Sequence, residues 1–170
     1  DRLLQIAGDA AVGRPHIAQA LVEDGYVNEP EDAYVLYLRQ DSKHPCYVKQ
    51  TEALLPEDAV ELIRKYHGVC ILAHPWCNKG DVESLIKRLK SKGLDGLEVY
   101  KYPKKQKQFI ELANKYSLLK TGGSDYHGRK KHESHEEKQP GECNYPKREI
   151  VQFLNLLEKR YKDSKENNIY

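Results

Sequence analysis

From residue 56 onward the chain alternates between amphipathic stretches of helical period and short apolar runs, and the runs end abruptly in polar residues. The segment "PEDAVELIRKYHG" places Ala59, Leu62, Ile63 and Tyr66 on one helical face and is stopped by Gly68. "VCILA" follows, too short for a helix and continuously apolar, as a buried strand is. Then come "DVESLIKRLKSKG" as helix, "GLEVY" as strand, "PKKQKQFIELANKY" as helix and "LLKTG" as strand. "YPKREIVQFLNLLEKRY" closes as a helix, and "KDSKENNIY" reads as a polar tail. Short links between such units leave few topologies: a parallel sheet of β/α repeats, open or barrel-like, of the α/β class.

Residues 1–50 carry a different rhythm. In "GRPHIAQALVEDGY", Pro15 sits where a first helical turn accepts it, with Ile17, Leu21 and Val22 on one face. "EPEDAYVLYLRQ" repeats the pattern through Ala33, Leu36 and Tyr37. "QDSKHPCYVKQ" breaks it and reads as a connection, so we expect a helical subdomain over 1–50 and an α/β domain over 51–170.

The strand ends concentrate the chemistry. "VCILA" runs into His74, "GLEVY" carries Glu98, and "LLKTG" runs into Ser124, Asp125, Tyr126 and His127. Parallel α/β folds gather their ligand sites at the carboxyl ends of strands, so three successive strands deliver these groups to one rim. Asp125 and His127, two residues apart, can reach a common point in an extended turn. A carboxylate with an imidazole suits Zn, Mn or Fe, and His74 is a further candidate ligand. A bare D-x-H also reads as an Asx turn beside a surface His; it is the convergence of three strand ends that favours a metal site. Gly122 and Gly123 fit a loop whose backbone approaches a ligand closely. For Glu98 three roles stay open: ligand, general base, or carboxylate paired with a nearby Lys.

Other polar residues read more plainly. Arg14 and His16 precede a helix whose N-terminus favours an anion, and an Arg there can clamp phosphate. His67 suits a helix C-terminus, Cys70 a core strand and Cys77 an uninvolved thiol. His132 and His135 belong to a charged loop, and the basic runs "KYPKKQK" and "GRKKH" to solvated surface. A net charge of +2 argues for neither nucleic acid nor an anionic membrane by itself. No apolar run reaches the ~20 residues that span a bilayer. The four cysteines form no C-x-x-C pair, which fits a reduced, intracellular setting. The chain holds no Met and opens on "DRLLQIAGDAA", which reads as the interior of a longer protein.

The strings "GRPHIAQALVEDGYV", "AVELIRKYHGVCILAHPW", "GLDGLEVY" and "LLKTGGSDYHG" together resemble the PHP (polymerase and histidinol phosphatase) metallophosphoesterases. The similarity is greatest to the TrpH-like branch, which includes hydrolases of nucleoside phosphates and of oligonucleotide 5′ ends. The resemblance covers most of residues 8–128 and implies a distorted β/α barrel with a small helical insertion. It further implies two or three divalent metals at the barrel rim and a phosphorylated small molecule or oligonucleotide as substrate. On the family pattern His74 is a metal ligand from an A-H-P motif, and Asp125 and His127 are ligands from S-D-x-H. Arg14 and His16 match a basic motif facing the substrate phosphate, and Glu98 matches a position near the site. Family members begin with H-x-H on a first strand, followed by further ligands, and nothing here corresponds. The expectation is therefore the C-terminal part of the domain, inactive alone and binding at most one metal weakly. The alternative expectation is a degenerate, non-catalytic PHP-like module that binds a partner.

Overall fold

The computed structural model describes residues 2–39, 42, 44, 46, 54–101, 103–126 and 139–166. The chain divides into two compact units, Asp1–Ala53 and Leu54–Tyr170.

The first unit is helical: α1 (Arg2–Ala7), α2 (Arg14–Glu23) and α3 (Pro30–Ala33), the last running into a π-helical turn over Tyr34–Leu38. Pro15 and Pro30 stand in the first turns of α2 and α3, where a missing N–H costs nothing. Ala18, Val27 and Ala33 form its small core, with Leu21, Val22 and Tyr34 packed around them. The π turn is the departure from the sequence expectation. A regular α period was expected through Tyr37, whereas the Arg39 N–H reaches back to the Tyr34 carbonyl at 3.0 Å and widens the last turn.

The second unit is the expected α/β alternation: α4 (Pro56–Lys65), β1 (Ile71–Leu72), α5 (Val82–Lys92), β2 (Gly96–Glu98), α6 (Pro103–Lys115), β3 (Leu119–Thr121) and α7 (Lys147–Glu166). The strands are parallel in the order β1-β2-β3, with Leu72 opposite Leu97 and Glu98 opposite Thr121. Equivalent strand ends therefore lie side by side.

Local chemistry accounts for the boundaries. Asp81 caps α5 by accepting from the Glu83 and Ser84 N–H groups at 3.0 and 3.1 Å, and its other oxygen takes the Ser84 hydroxyl at 2.6 Å. Gly93 ends the same helix at φ 106°. Ile86 and Leu89 turn the inner face of α5 into a core with Leu94, Leu97, Val99, Phe109, Leu112, Ala113 and Leu118. Full burial of an aliphatic or aromatic side chain is worth about 1.5–3 kcal/mol, so this cluster sets the stability of the unit.

A buried ion pair fastens α7 beneath the sheet. Arg160 donates to the Gly68 carbonyl and to Asp95 Oδ1, each at 2.5 Å, while Asp95 Oδ2 accepts from the Cys70 N–H at 2.9 Å. Gly68, Cys70 and Asp95 precede β1 and β2, so this pair lies at the end of the sheet opposite His74 and Glu98. The polar tail expected from residue 162 is instead the last turn of α7 through Glu166. Glu158 and Lys162 pair at 2.7 Å one turn apart, and Ser164 is buried with its hydroxyl on the Tyr161 carbonyl.

Candidate functional site

A polar candidate stands at or within four residues of the end of each strand, and the parallel register brings those ends together. His74 follows β1 in a left-handed conformation (φ 46°) and heads a single 3-10 turn over Pro75–Cys77. Asp125, four residues past β3, is also left-handed (φ 56°). Non-Gly residues in this region are uncommon, although His and Asp tolerate it better than most, and here two of them flank one site.

Glu98, the last residue of β2, is only 9% exposed. Its Oε2 accepts the His74 backbone N–H at 2.8 Å and stands 3.5 Å from His74 Nε2. Asp125 Oδ2 lies 3.7 Å from the same Nε2. Trp76 supports the imidazole at 5.5 Å between ring centroids and itself meets Phe109 edge-on, so the His74 ring leans on the core. Three groups from three strand ends thus share one rim, and among the described residues Glu98 stands beside His74.

Two donors that each lie about 2.0–2.2 Å from one tetrahedral ion stand roughly 3.3–3.6 Å apart. The His74–Asp125 and His74–Glu98 separations are close to that spacing, and imidazole with carboxylate is a fitting donor set for a divalent transition metal. Among the described residues no group of three His, Cys, Asp or Glu side chains is arranged to hold a metal ion. His127, His132 and His135 fall outside the described residues.

Lys101 is the residue that the sequence reading passed over. As part of a basic run it was expected in solvent, yet its side chain is 23% exposed and its ammonium donates to Asp125 Oδ2. Its root is rigid: Val99 and Tyr100 donate their N–H groups to the Thr121 carbonyl at 2.8 and 3.1 Å. Tyr100 stacks on Tyr145 at 5.6 Å, and burial pushes both phenols up from their ordinary pKa, with Glu149 adding to the effect.

Gly122 has a different reason from the expected one. A side chain there would place Cβ 2.5 Å from Tyr100 Cβ and 2.9 Å from the Tyr100 carbonyl oxygen. It is the neighbouring strand end, packed against this backbone, that demands glycine. Gly123 has open space where its Cβ would be.

Arg14 and His16 belong to the first unit, at the start of α2. His16 Nδ1 accepts the Gly13 N–H at 2.9 Å, so one ring nitrogen serves as a helix cap. Arg14 is exposed. Cys70 is buried, and its thiol pKa is pushed up, first by burial and then by the Asp95 charge, as befits a core cysteine. Among the described residues no helix is long and apolar enough to cross a membrane.

No family model matches the sequence. The chain is similar to a 5′-3′ exoribonuclease of Haemophilus influenzae, 33% identical over an alignment 130 residues long that covers 70% of this chain and 44% of that protein. It is also similar to a phosphoribosyl 1,2-cyclic phosphate 1,2-diphosphodiesterase of Eggerthella lenta, 31% identical over an alignment 121 residues long that covers 68% of this chain and 44% of that one. The chain thus spans less than half the length of these two relatives. Among solved structures it resembles a protein of Bifidobacterium adolescentis assigned as a metal-dependent phosphoesterase (TM-score 0.72, 28% identity, 92% of this chain and 55% of that one). It resembles as well an amidohydrolase of Chromobacterium violaceum solved with sulfate and without metal (TM-score 0.64, 26% identity, 94% of this chain and 62% of that one). Taken with the strand-end motifs and the parallel sheet, these likenesses support a PHP-type phosphoesterase.

Proposed function

We propose that this chain contributes a metal-binding rim and part of the β/α barrel to a divalent-metal-dependent phosphoesterase that hydrolyses phosphate esters of nucleotides or short oligonucleotides. The observation that carries the reading is the meeting of His74, Glu98 and Asp125 at three adjacent parallel strand ends, with His74 Nε2 3.5 and 3.7 Å from the two carboxylates. The reading is supported by the relatives' names, a 5′-3′ exoribonuclease and a phosphoribosyl 1,2-cyclic phosphate 1,2-diphosphodiesterase.

His74, Asp125 and His127 would hold a divalent ion of Mn, Zn or Fe. When bound, such an ion supplies a hydroxide nucleophile near neutral pH and positive charge for the phosphoryl oxygens. Glu98 acts on His74: it fixes the backbone through the N–H bond and draws the imidazole toward the rim. Trp76 packs against that ring at 5.5 Å between centroids. Arg14 and His16, at the start of α2, are the proposed phosphate-binding pair of the first unit.

The test is a metal-depletion and variant series on the full-length protein with a 5′-phosphorylated oligoribonucleotide and a nucleoside monophosphate. Chelation should abolish turnover and added Mn²⁺ or Zn²⁺ should restore it. Asp125→Asn and His127→Ala should each lower kcat/KM roughly a hundredfold or more with the circular dichroism unchanged. Chelator-insensitive hydrolysis, or a fully active Asp125→Asn, would overturn the proposal.

A further inference from the structure

We infer that Lys101 is a resident counter-ion for Asp125 which a divalent cation must displace, and that the displaced ammonium then takes a phosphoryl oxygen of the substrate. The inference rests on the metal-dependent phosphoesterase reading above.

The geometry carries it. Among the described residues, Asp125 Oδ2 meets the Lys101 ammonium and the His74 imidazole, the latter at 3.7 Å. Glu98 adds a second carboxylate within 3.5 Å of that imidazole, so the rim without a metal gathers two acidic groups around one ring. Lys101 offsets this charge from the Asp125 side. A divalent ion bound by Asp125 and His74 would place two positive charges next to an ammonium in hydrogen-bond contact with the same carboxylate. Like charges at such separations repel strongly where water is partly excluded, and the Lys101 and Asp125 side chains are only 23% and 35% exposed. The ammonium therefore leaves Asp125 when the ion arrives.

It cannot leave far. Tyr100, the preceding residue, is 6% exposed and bound to Thr121, so the Lys101 backbone stays at the rim while only its flexible four-carbon stem swings. An ammonium released beside a metal-bound phosphate ester meets an acceptor of matching charge in a phosphoryl oxygen. Lys101 would in this way couple the two events: substrate phosphate gives the displaced charge a new partner, and the ion is held more tightly with phosphate present than without it. Such reciprocity is what linkage between two ligands requires.

Calorimetry on the metal-depleted, full-length protein tests this without reference to turnover, with Mn²⁺ and inorganic phosphate as probes. Lys101→Met should raise Mn²⁺ affinity in the absence of phosphate about tenfold, a shift of about 1.4 kcal/mol. The same variant should weaken phosphate binding to the Mn²⁺-loaded protein by a similar factor, and Lys101→Arg should retain phosphate binding. Unchanged or lowered Mn²⁺ affinity in Lys101→Met overturns the counter-ion role, and unchanged phosphate affinity overturns the coupling. Asp125→Asn separates the two levels. If it leaves Mn²⁺ affinity intact, the ligand assignment fails and this inference falls with it; if it lowers that affinity while Lys101→Met changes nothing, only the Lys101 role fails.

Discussion

Arg160→Met should destabilise the second unit by about 3 kcal/mol. The guanidinium and the Asp95 carboxylate are each 9% exposed in their side chains, so neither is rescued by bulk water when its partner goes. Breaking a buried pair from one side costs about 3–5 kcal/mol, because the remaining charge stays buried and uncompensated. Two features hold the cost to the lower end. Arg64 stands 3.4 Å from Asp95 Oδ1 and is 42% exposed, and the Cys70 N–H keeps its bond to Oδ2. One feature works the other way: the Gly68 carbonyl loses its guanidinium donor. Methionine preserves most of the packing of the arginine stem, so the loss reads on charge and hydrogen bonds rather than on a cavity. Urea unfolding followed by the fluorescence of Trp76, the single tryptophan of the chain, reports on this unit. With an m value of roughly 1–3 kcal/mol/M the midpoint should fall by about 1–3 M. Asp95→Asn and the double variant complete a cycle, and the pair should show a coupling of about 2 kcal/mol. A loss under about 1 kcal/mol for Arg160→Met, or costs that simply add, would show that α7 is held by apolar packing alone.

Two further outcomes follow from local geometry. Gly122→Ala should lower Tm and, because Tyr100 roots Lys101, should also weaken phosphate binding; a variant as stable as the parent would show that Tyr100 can retreat from the 2.5 Å contact. Asp81→Ala should lower Tm by removing the cap of α5, and the effect should depend on pH. The Ser84 hydroxyl, and after it the Ser84 and Glu83 N–H groups, hold the Asp81 carboxyl below its ordinary 3.8. A depressed carboxyl contributes stability that is present above its unfolded pKa and is lost as the pH falls through the folded one. The Tm difference between parent and variant should thus be full at neutral pH and shrink below about pH 4. A pH-independent difference would assign the effect to helix propensity instead of the cap.

What could be read from residues alone was whatever depends on neighbours in sequence. The alternation of helices and three strands follows from spacing, and the strand ends named His74, Glu98 and Asp125, but the expected face of α4 did not hold: Leu62, Ile63 and Tyr66 are exposed and Val60 is the residue that the helix buries. Lys101 was invisible because its partner lies 24 residues away across a strand pairing, and a lysine in a basic run looks solvated whichever way it points. Gly122 was read for the right property and the wrong neighbour, since only the register shows that Tyr100 fills the space. The end of α7 was misjudged on composition: "KDSKE" is polar, but Lys and Glu are good helix formers, and Ser164 buries a face that hydropathy could not reveal.

The left-handed backbone at His74 and Asp125 has a consequence for how this chain responds to selection. Such conformations cost of order 1–3 kcal/mol at ordinary side chains, less for His and Asp, and nothing comparable for glycine. Stability alone would favour Gly or Asn at both positions, whereas the chemistry proposed for the rim needs an imidazole and a carboxylate. A screen of this protein for heat resistance, run without a demand for activity, should therefore enrich substitutions at these two positions early, eroding the rim while leaving the sheet beneath it intact.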